Sequence, residues 1–323
     1  MNLLSTSYGR LARLRRSWYE HHPQSRRSLD RPVVSVGNLS VGGSGKTPVV
    51  ATIARILLDM GEKPAVLTRG YGRRVSADGV VVATDGERVL EPVERTGDEP
   101  QMLARALGGA PVLVCADRHL AGRLAERRFA CTVMLLDDGF QHLALGRELD
   151  ILLMSAADLD DTVLPSGRLR EPLDAACSAD CLLVPGSNEE VARVSAAFDR
   201  TPVFRIVNRY APIRLLDPSG VPLEAGRRVV AVAGIARPER FFGALREQGY
   251  HVARELAFRD HHWFTARDLD RIRQTAREVD AALVVTTEKD AVRLPAVSGW
   301  AVLPVEAGIE PADAFAAWLR DRL

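Results

Sequence analysis

The segment Ser40-Val-Gly-Gly-Ser-Gly-Lys46-Thr47, entered from the apolar run Val33-Val-Ser-Val36, constrains this chain more than any other feature. Glycines at 42, 43 and 45 let backbone N–H groups turn inward around a polyphosphate. Lys46 can then reach the β- and γ-phosphates, and the Thr47 hydroxyl can bind Mg²⁺. The residues that follow place Val49, Ile53, Ile56 and Leu57 at helical spacing, so the anion would also sit on a helix N-terminus. Ser40 stands where the usual pattern has glycine, a departure offset by the strand–loop–helix order around it. The expected nucleotide-binding residues are Ser40, Val41, Gly42, Gly43, Ser44, Gly45, Lys46 and Thr47.

A strand feeding such a loop belongs in a parallel sheet, and the chain from Pro32 onward supplies the rest of one. Apolar runs at Ala65–Thr68, Pro111–Cys115, Thr132–Leu136, Ile151–Met154 and Cys181–Val184 alternate with helical patterns such as Glu99–Leu107 and His119–Arg128. That alternation predicts helices on both faces of a mostly parallel sheet. Asp78 to Val93, polar and punctuated by glycine, reads as a hairpin insertion. Two short β-like runs, Phe204–Val207 and Ile213–Leu216, lie around a turn at Asp217-Pro-Ser-Gly220. A second series follows: a strand at Val229–Ala233, a helix at Pro238–Gln248, strands at His251–Phe258 and Ala282–Thr286. Helices open at Thr265, with Asp268 completing a capping box, and at Pro311.

The expected fold is therefore α/β: a P-loop NTPase-type, mostly parallel sheet with helices on both faces, plus a smaller C-terminal α/β domain. The divisions are an N-terminal helix at 1–24, the P-loop core at 25–203, a β-ribbon linker at 204–227 and the C-terminal domain at 228–323. At 323 residues the chain has length for both units.

In residues 1–20, Leu4, Tyr8, Leu11, Leu14 and Trp18 fall on one helical face; Arg13 and Arg16 point away, and Arg10 and Arg15 flank the stripe. Such a helix can lie in a headgroup layer; it can equally pack on the protein's own core with a basic solvated side. The net charge of +1 gives no global argument for nucleic acid. No apolar run approaches a membrane span, and the N-terminus lacks a signal-peptide core, which points to the cytosol. The four cysteines fit that compartment as reduced, core-packing thiols.

Several loops carry chemistry toward one sheet edge. Thr132–Leu136 runs into Asp137 and Asp138, an apolar strand ending in carboxylates. In a parallel sheet that end faces the P-loop's crevice, so Thr47, Asp137 and Asp138 are the expected Mg²⁺ holders. A surface Asp-Asp-Gly turn has the same composition. Thr68-Arg69-Gly-Tyr71-Gly-Arg73, Asp117-Arg118 and Leu164-Pro-Ser-Gly-Arg168-Leu-Arg170-Glu171-Pro172 follow other strands, and their arginines suit phosphate. In Thr96-Gly-Asp98-Glu99-Pro100-Gln101, helix capping alone explains every residue type: Asp98 as N-cap, Pro100 in the first turn, Gln101 closing a capping box. Arg259-Asp260-His261-His262-Trp263 could hold a titrating histidine, although a lone surface histidine is the commoner case.

Together these stretches resemble the tetraacyldisaccharide 4′-kinases, the lipid A 4′-kinases of Gram-negative bacteria. The resemblance rests on Val36-Gly-Asn-Leu-Ser-Val-Gly-Gly-Ser-Gly-Lys-Thr-Pro48, Thr68-Arg-Gly-Tyr71, Gly97-Asp-Glu-Pro100, Leu136-Asp-Asp-Gly-Phe-Gln-His142, Leu164–Pro172, Asp260-His-His262 and Thr286-Thr-Glu-Lys-Asp290. It covers nearly the whole chain, in order. It implies transfer of the γ-phosphate of ATP, with Mg²⁺, to the 4′-hydroxyl of tetraacyldisaccharide 1-phosphate, giving lipid IVA. It implies Asp98 as the catalytic carboxylate, paired with His261. It makes Arg69, Tyr71, Glu99, Arg118, Gln141, His142, Arg170 and Glu171 the expected substrate-binding residues. The N-terminal helix matches a membrane-associating helix, which implies a peripheral enzyme on the cytoplasmic face of the inner membrane with a lipid substrate and no nucleic-acid partner. The competing reading is a P-loop switch ATPase or GTPase of metallochaperone or partitioning type. Its nearest guanine-reading match, Thr287-Glu-Lys-Asp290, has the lysine displaced by one place.

Overall fold

The computed structural model describes residues 3–43, 45–217, 226–295 and 298–323. The expected phosphate-loop residue Ser44 and positions 218–225 of the expected linker lie outside them.

The chain opens with helix α1 (Leu3–His21), strand β1 (Val33–Asn38) and helix α2 (Lys46–Asp59). All six residues of β1 are buried, as the continuous apolar run requires of a strand covered on both faces. Next come β2 (Pro64–Thr68), β3 (Val81–Thr84), α3 (Val93–Thr96), α4 (Asp98–Ala106), β4 (Val112–Val114) and α5 (Arg118–Phe129). β5 (Val133–Asp137), β6 (Leu149–Leu153), β7 (Cys181–Pro185), α6 (Asn188–Ala197) and β8 (Val203–Tyr210) complete this stretch. The remainder is β9 (Arg214–Leu215), β10 (Arg228–Ala233), α7 (Pro238–Glu247), β11 (His251–Ala257), α8 (Ala266–Glu278), β12 (Leu283–Thr286), α9 (Glu288–Ala291), β13 (Trp300–Val302), β14 (Val305–Glu310) and α10 (Ala312–Arg320).

Nine strands form one sheet in the order β14-β8-β7-β6-β1-β5-β2-β4-β3, parallel except for the two edges β14 and β3. β1 lies at its centre between β5 and β6. The phosphate loop and the carboxylates ending β5 therefore emerge side by side, with Val36 in register with Asp137. A second sheet has the order β11-β10-β12-β13-β9, with β9 antiparallel at its edge.

The chain's last segment does not stay with the second sheet. β14 returns and pairs antiparallel with β8 from Val305↔Tyr210 to Glu310↔Arg205. α10 follows and buries Phe315, Trp318 and Leu319 in the core of the first sheet. The ribbon between the units is thus β8 with β14, strands about a hundred residues apart in sequence, rather than the two runs within 204–227. β9 instead joins the second sheet through β13.

α1 docks by the face opposite to its apolar stripe. Ser5, Gly9 and Arg16 are buried. At Gly9, a Cβ would come within 3.3 Å of Val163 and 3.5 Å of Pro172, so the helix packs closely here and a larger residue would ask Val163 to shift by a few tenths of an ångström. Arg16, which points away from the stripe as its spacing requires, is buried on Glu171 and not solvated, with Nε and Nη2 donating to the carboxylate at 2.7 and 2.9 Å. Its guanidinium also lies 4.4 Å from the Phe140 ring. Removing one partner of such a pair leaves a buried charge, a cost of roughly 3–5 kcal/mol. The stripe Leu4, Tyr8, Leu11, Leu14 and Trp18 faces outward, Leu11 and Leu14 each 67% exposed. No helix among the described residues is long and apolar enough to cross a membrane. Cys115, Cys131 and Cys181 are buried free thiols, whereas Cys177, also free, is exposed and packs no core.

Candidate active site

β1 delivers the chain to the phosphate loop, and the loop's stem is pinned from the side. Val41 N donates to Arg168 O at 2.8 Å, and Arg170 N donates to Leu39 O at 2.6 Å. Gly45, at φ 76°, is the N-cap of α2, so Lys46 and Thr47 form the first turn of the helix, the end whose dipole favours an anion. Lys46 Nζ donates to Asn38 Oδ1 at 2.8 Å and lies 3.3 Å from Asp138 Oδ1. Asn38 also donates through Nδ2 to Ser40 O at 2.6 Å. Nothing in the sequence patterning marked Asn38. Its place two residues before Ser40, inside the β1-to-loop motif, was the available signal.

The two carboxylates ending β5 have different surroundings. Asp137 is buried and accepts from Thr68 Oγ1 at 2.9 Å. Burial, with Glu99 and Asp138 nearby, pushes its carboxyl up to about 7. Asp138 turns into the left-handed region at φ 53°, a conformation aspartate tolerates better than most residues. That turn brings it between Lys46 and Arg170, whose Nη1 lies 2.9 Å from both carboxylate oxygens. Burial opposes its ionisation, but Lys46 and Arg170 outweigh that and hold Asp138 below the usual carboxylate range. A divalent cation fits here: it would relieve the crowding of Asp137 by Glu99 and Asp138, with Thr47 within the same loop mouth. Among the described residues no cluster of three or more His, Cys, Asp or Glu forms a metal cage. A Mg²⁺ site that also uses phosphate oxygens and water needs none.

Asp98 does not cap α4. Gly97, at φ 89°, is the N-cap, Asp98 is the first helical residue, and no side chain makes the cap bond. Gln101 Oε1 accepts from Thr96 Oγ1 at 2.9 Å instead of closing a box. The Asp98 carboxylate is free of that duty. Its Oδ1 accepts from Glu99 N at 3.0 Å, and its Oδ2 lies 2.8 Å from His261 Nδ1, supplied by the second unit. Burial opposes its ionisation, but His261, Lys289 and Arg293 outweigh that and leave its carboxyl below the ordinary range. Lys289 Nζ is 4.0 Å and Arg293 Nη1 3.7 Å from Asp98 Oδ2. His261 stands at φ 58°, like Asp138 a non-glycine residue in the left-handed region; such outliers concentrate at functional sites. His262 faces elsewhere, stacked on Phe258 at 4.7 Å and bonded to Asp268 at 3.1 Å.

The other expected residues divide into two groups. Arg69 and Tyr71 are exposed, and the Tyr71 ring meets that of His261 edge-on at 5.6 Å. Glu99 lies 3.9 Å from Lys289. Gln141 donates to Asn38 O at 3.1 Å and, with Arg170, lines the loop mouth. Arg118 is buried beneath, its Nη1 on the carbonyls of Cys115 and Ala116. His142 is half-buried next to Arg118 and Arg147, which with burial pushes its pKa down to about 4. Glu171 lies outside the crevice altogether, being the anchor of Arg16. The guanine-like match is spent on structure: Asp290 is fully buried and accepts from Gly234 N at 2.9 Å and Thr287 Oγ1 at 2.7 Å.

Beside Thr47 and Pro48 a cavity of about 530 Å³ runs along α2, between α4 and the second unit's Arg214, Glu288 and Val292. Its size suits a small-molecule ligand.

The model of the tetraacyldisaccharide-1-P 4′-kinase family matches residues 1–323. A tetraacyldisaccharide 4′-kinase of Geobacter metallireducens is 43% identical over 298 residues, covering 90% of this chain and 87% of that protein. That of Syntrophus aciditrophicus is 36% identical over 326 residues, covering 94% and 87%. The crystal structure of LpxK from Aquifex aeolicus, described as an "apo" form in complex with ATP, superposes with a TM-score of 0.83 at 31% identity, over 98% of this chain and 96% of that one.

Proposed function

This chain belongs to the tetraacyldisaccharide-1-P 4′-kinase family, and from that premise we infer that it transfers the γ-phosphate of ATP to the 4′-hydroxyl of tetraacyldisaccharide 1-phosphate. The observation that carries the mechanism is the 2.8 Å contact between Asp98 and His261, across two units, with the adjoining Glu99 close enough to Asp137 to act on its carboxyl. Phosphoryl transfer asks mainly for positioning and for charge neutralisation at the phosphates. Lys46 and Arg170, now held by Asp138, are the cations poised for that work, and the cavity beside Thr47 receives the nucleoside. Mg²⁺ bound between Thr47, Asp137 and Asp138 would supply electrostatic stabilisation of the developing charge. Asp98 accepts the proton of the sugar hydroxyl, and His261 Nδ1–H orients the carboxylate. Tyr71–His261 and the stacking of Arg74 on Trp263 at 4.1 Å join the two units around this centre.

A four-chain lipid must be met at a surface. The exposed stripe of α1 supports peripheral association with the cytoplasmic face of the inner membrane. α1 also touches the site's own loops: Tyr8 Oη donates to Arg170 O at 2.8 Å and Arg15 Nη1 to Gln141 O at 3.1 Å.

The test is Asp98→Asn, assayed by transfer of radiolabelled phosphate from ATP to the lipid disaccharide on thin-layer plates. Losing the proton acceptor should lower turnover on the order of 10²–10⁴-fold. A fully active variant would return Asp98 to a structural role.

A further inference from the structure

We propose that Lys289 is a positioning residue that fixes the tautomer of His261, so that the ring presents Nδ1–H to Asp98. The proposal rests on the reading of Asp98 as proton acceptor. An ammonium group has only donors to offer, so a ring nitrogen bonded to it must accept. Lys289 Nζ lies 3.2 Å from His261 Nε2. The proton of the ring therefore sits on Nδ1, the nitrogen 2.8 Å from Asp98 Oδ2, where an acceptor waits.

Without Lys289, Nε2 is no longer required to accept. A second group near Nε2 is the Asp260 carboxylate, with Oδ2 at 3.8 Å, too far for a hydrogen bond as it stands. A carboxylate there favours a proton on Nε2. In that tautomer Nδ1 would turn a lone pair on the lone pairs of Asp98, and the dyad would repel instead of bond. Lys289 prevents this by donating to Asp260 Oδ1 at 3.1 Å while it donates to Nε2.

The fold supports that geometry through the backbone of one residue, Gly234. Gly234 O accepts from His261 N at 3.1 Å, and Gly234 N donates to Asp290 Oδ2 at 2.9 Å. Asp290 neighbours Lys289 on α9, so the ring and the ammonium are hung from the same glycine. A Cβ at Gly234 would lie 2.9 Å from Asp290 Oδ1 and 3.3 Å from the His262 side chain, so the junction is closely packed. Arg293, one turn along, places its buried guanidinium behind Asp98 and binds Asp290 and Gly234 O through Nη2. The second unit thus brings an orienting ring, the group that sets its tautomer and a buried countercharge to a carboxylate of the first.

The experiment uses the full-length chain and Lys289→Met, which keeps side-chain length and removes charge and donors. Long-range ¹H–¹⁵N spectra of the imidazoles, with His261→Gln identifying the signal, read the tautomer directly. The intact chain should show Nδ1–H at His261, and Lys289→Met should shift the ring toward Nε2–H. Turnover should fall roughly 10- to 100-fold, part of the general-base contribution, with KM for ATP and lipid near that of the unaltered chain. Lys289→Arg, which still only donates, should keep the tautomer and recover part of the rate. An Nε2–H ring in the unaltered chain, or an unchanged tautomer in Lys289→Met, overturns the proposal. So does a raised KM for ATP with unchanged kcat, which would make Lys289 a phosphate ligand. The spectrum is read independently of turnover: full activity in Asp98→Asn would overturn the base assignment alone, and an Nδ1–H ring lost in Lys289→Met would still support the role of Lys289.

Discussion

Replacing Asp137 with Asn should stabilise the metal-free protein while disabling it. Asp137 ends β5 fully enclosed, with Glu99 and Asp138 close enough to push its carboxyl from 3.8 to about 7. Lys46 and the Thr68 hydroxyl oppose that rise without cancelling it. A carboxyl raised in the folded state favours folding in its protonated form. The stability it contributes is therefore complete below the unfolded value near pH 4 and is lost as pH climbs through 7. The difference of about three pH units corresponds to about 4 kcal/mol at pH 8 as an upper bound, and movement of Lys46 toward Asp137 would reduce it to about 2–4 kcal/mol. Asparagine has the same shape and can still accept from Thr68 Oγ1, so it removes the charge and little else. Scanning calorimetry in EDTA from pH 5 to pH 8 should show the two proteins melting together at the acid end. A gap in favour of Asp137→Asn should then open as pH rises. Kinase turnover of the variant should fall, because the carboxylate that costs stability in the empty site is one that would hold Mg²⁺. A gap independent of pH, or a variant less stable at pH 8, would refute the crowding of Asp137 by its acidic neighbours.

Two further outcomes follow from the same structure. Lys46→Ala should lower turnover by on the order of 10²-fold or more through lost charge stabilisation, with the fold retained by circular dichroism; near-normal turnover would remove Lys46 from the phosphate site. Replacing Leu11, Leu14 and Trp18 together with Ser should move the protein from membrane to soluble fractions with an unchanged melting temperature, since all three face outward; a lowered melting temperature would mean that the stripe packs on protein.

Local order was legible because it rests on short-range physics. A strand, a glycine turn and a helix in register specify the phosphate loop wherever they occur. The apolar runs that became β1, β5 and β6 lie within a residue or two of their sequence boundaries, and Thr265 with Asp268 caps α8 as composition requires. What tertiary structure decided were choices that local pattern leaves degenerate. Helical periodicity gives α1 two faces but not which one docks; Glu171, more than 150 residues away, chose the face carrying Arg16. The strand at 305–310 is compatible with either sheet, and pairing with β8 assigned it to the first. Asp98 has the composition of a cap, and only the backbone at Gly97 relieves it of that work. His261, Lys289 and Arg293 come to Asp98 from more than 160 positions downstream, a distance over which no spacing rule operates. Sequence patterning sees neighbours within a few turns or strands, whereas charge and hydrogen bonding act across any separation that the folded chain closes.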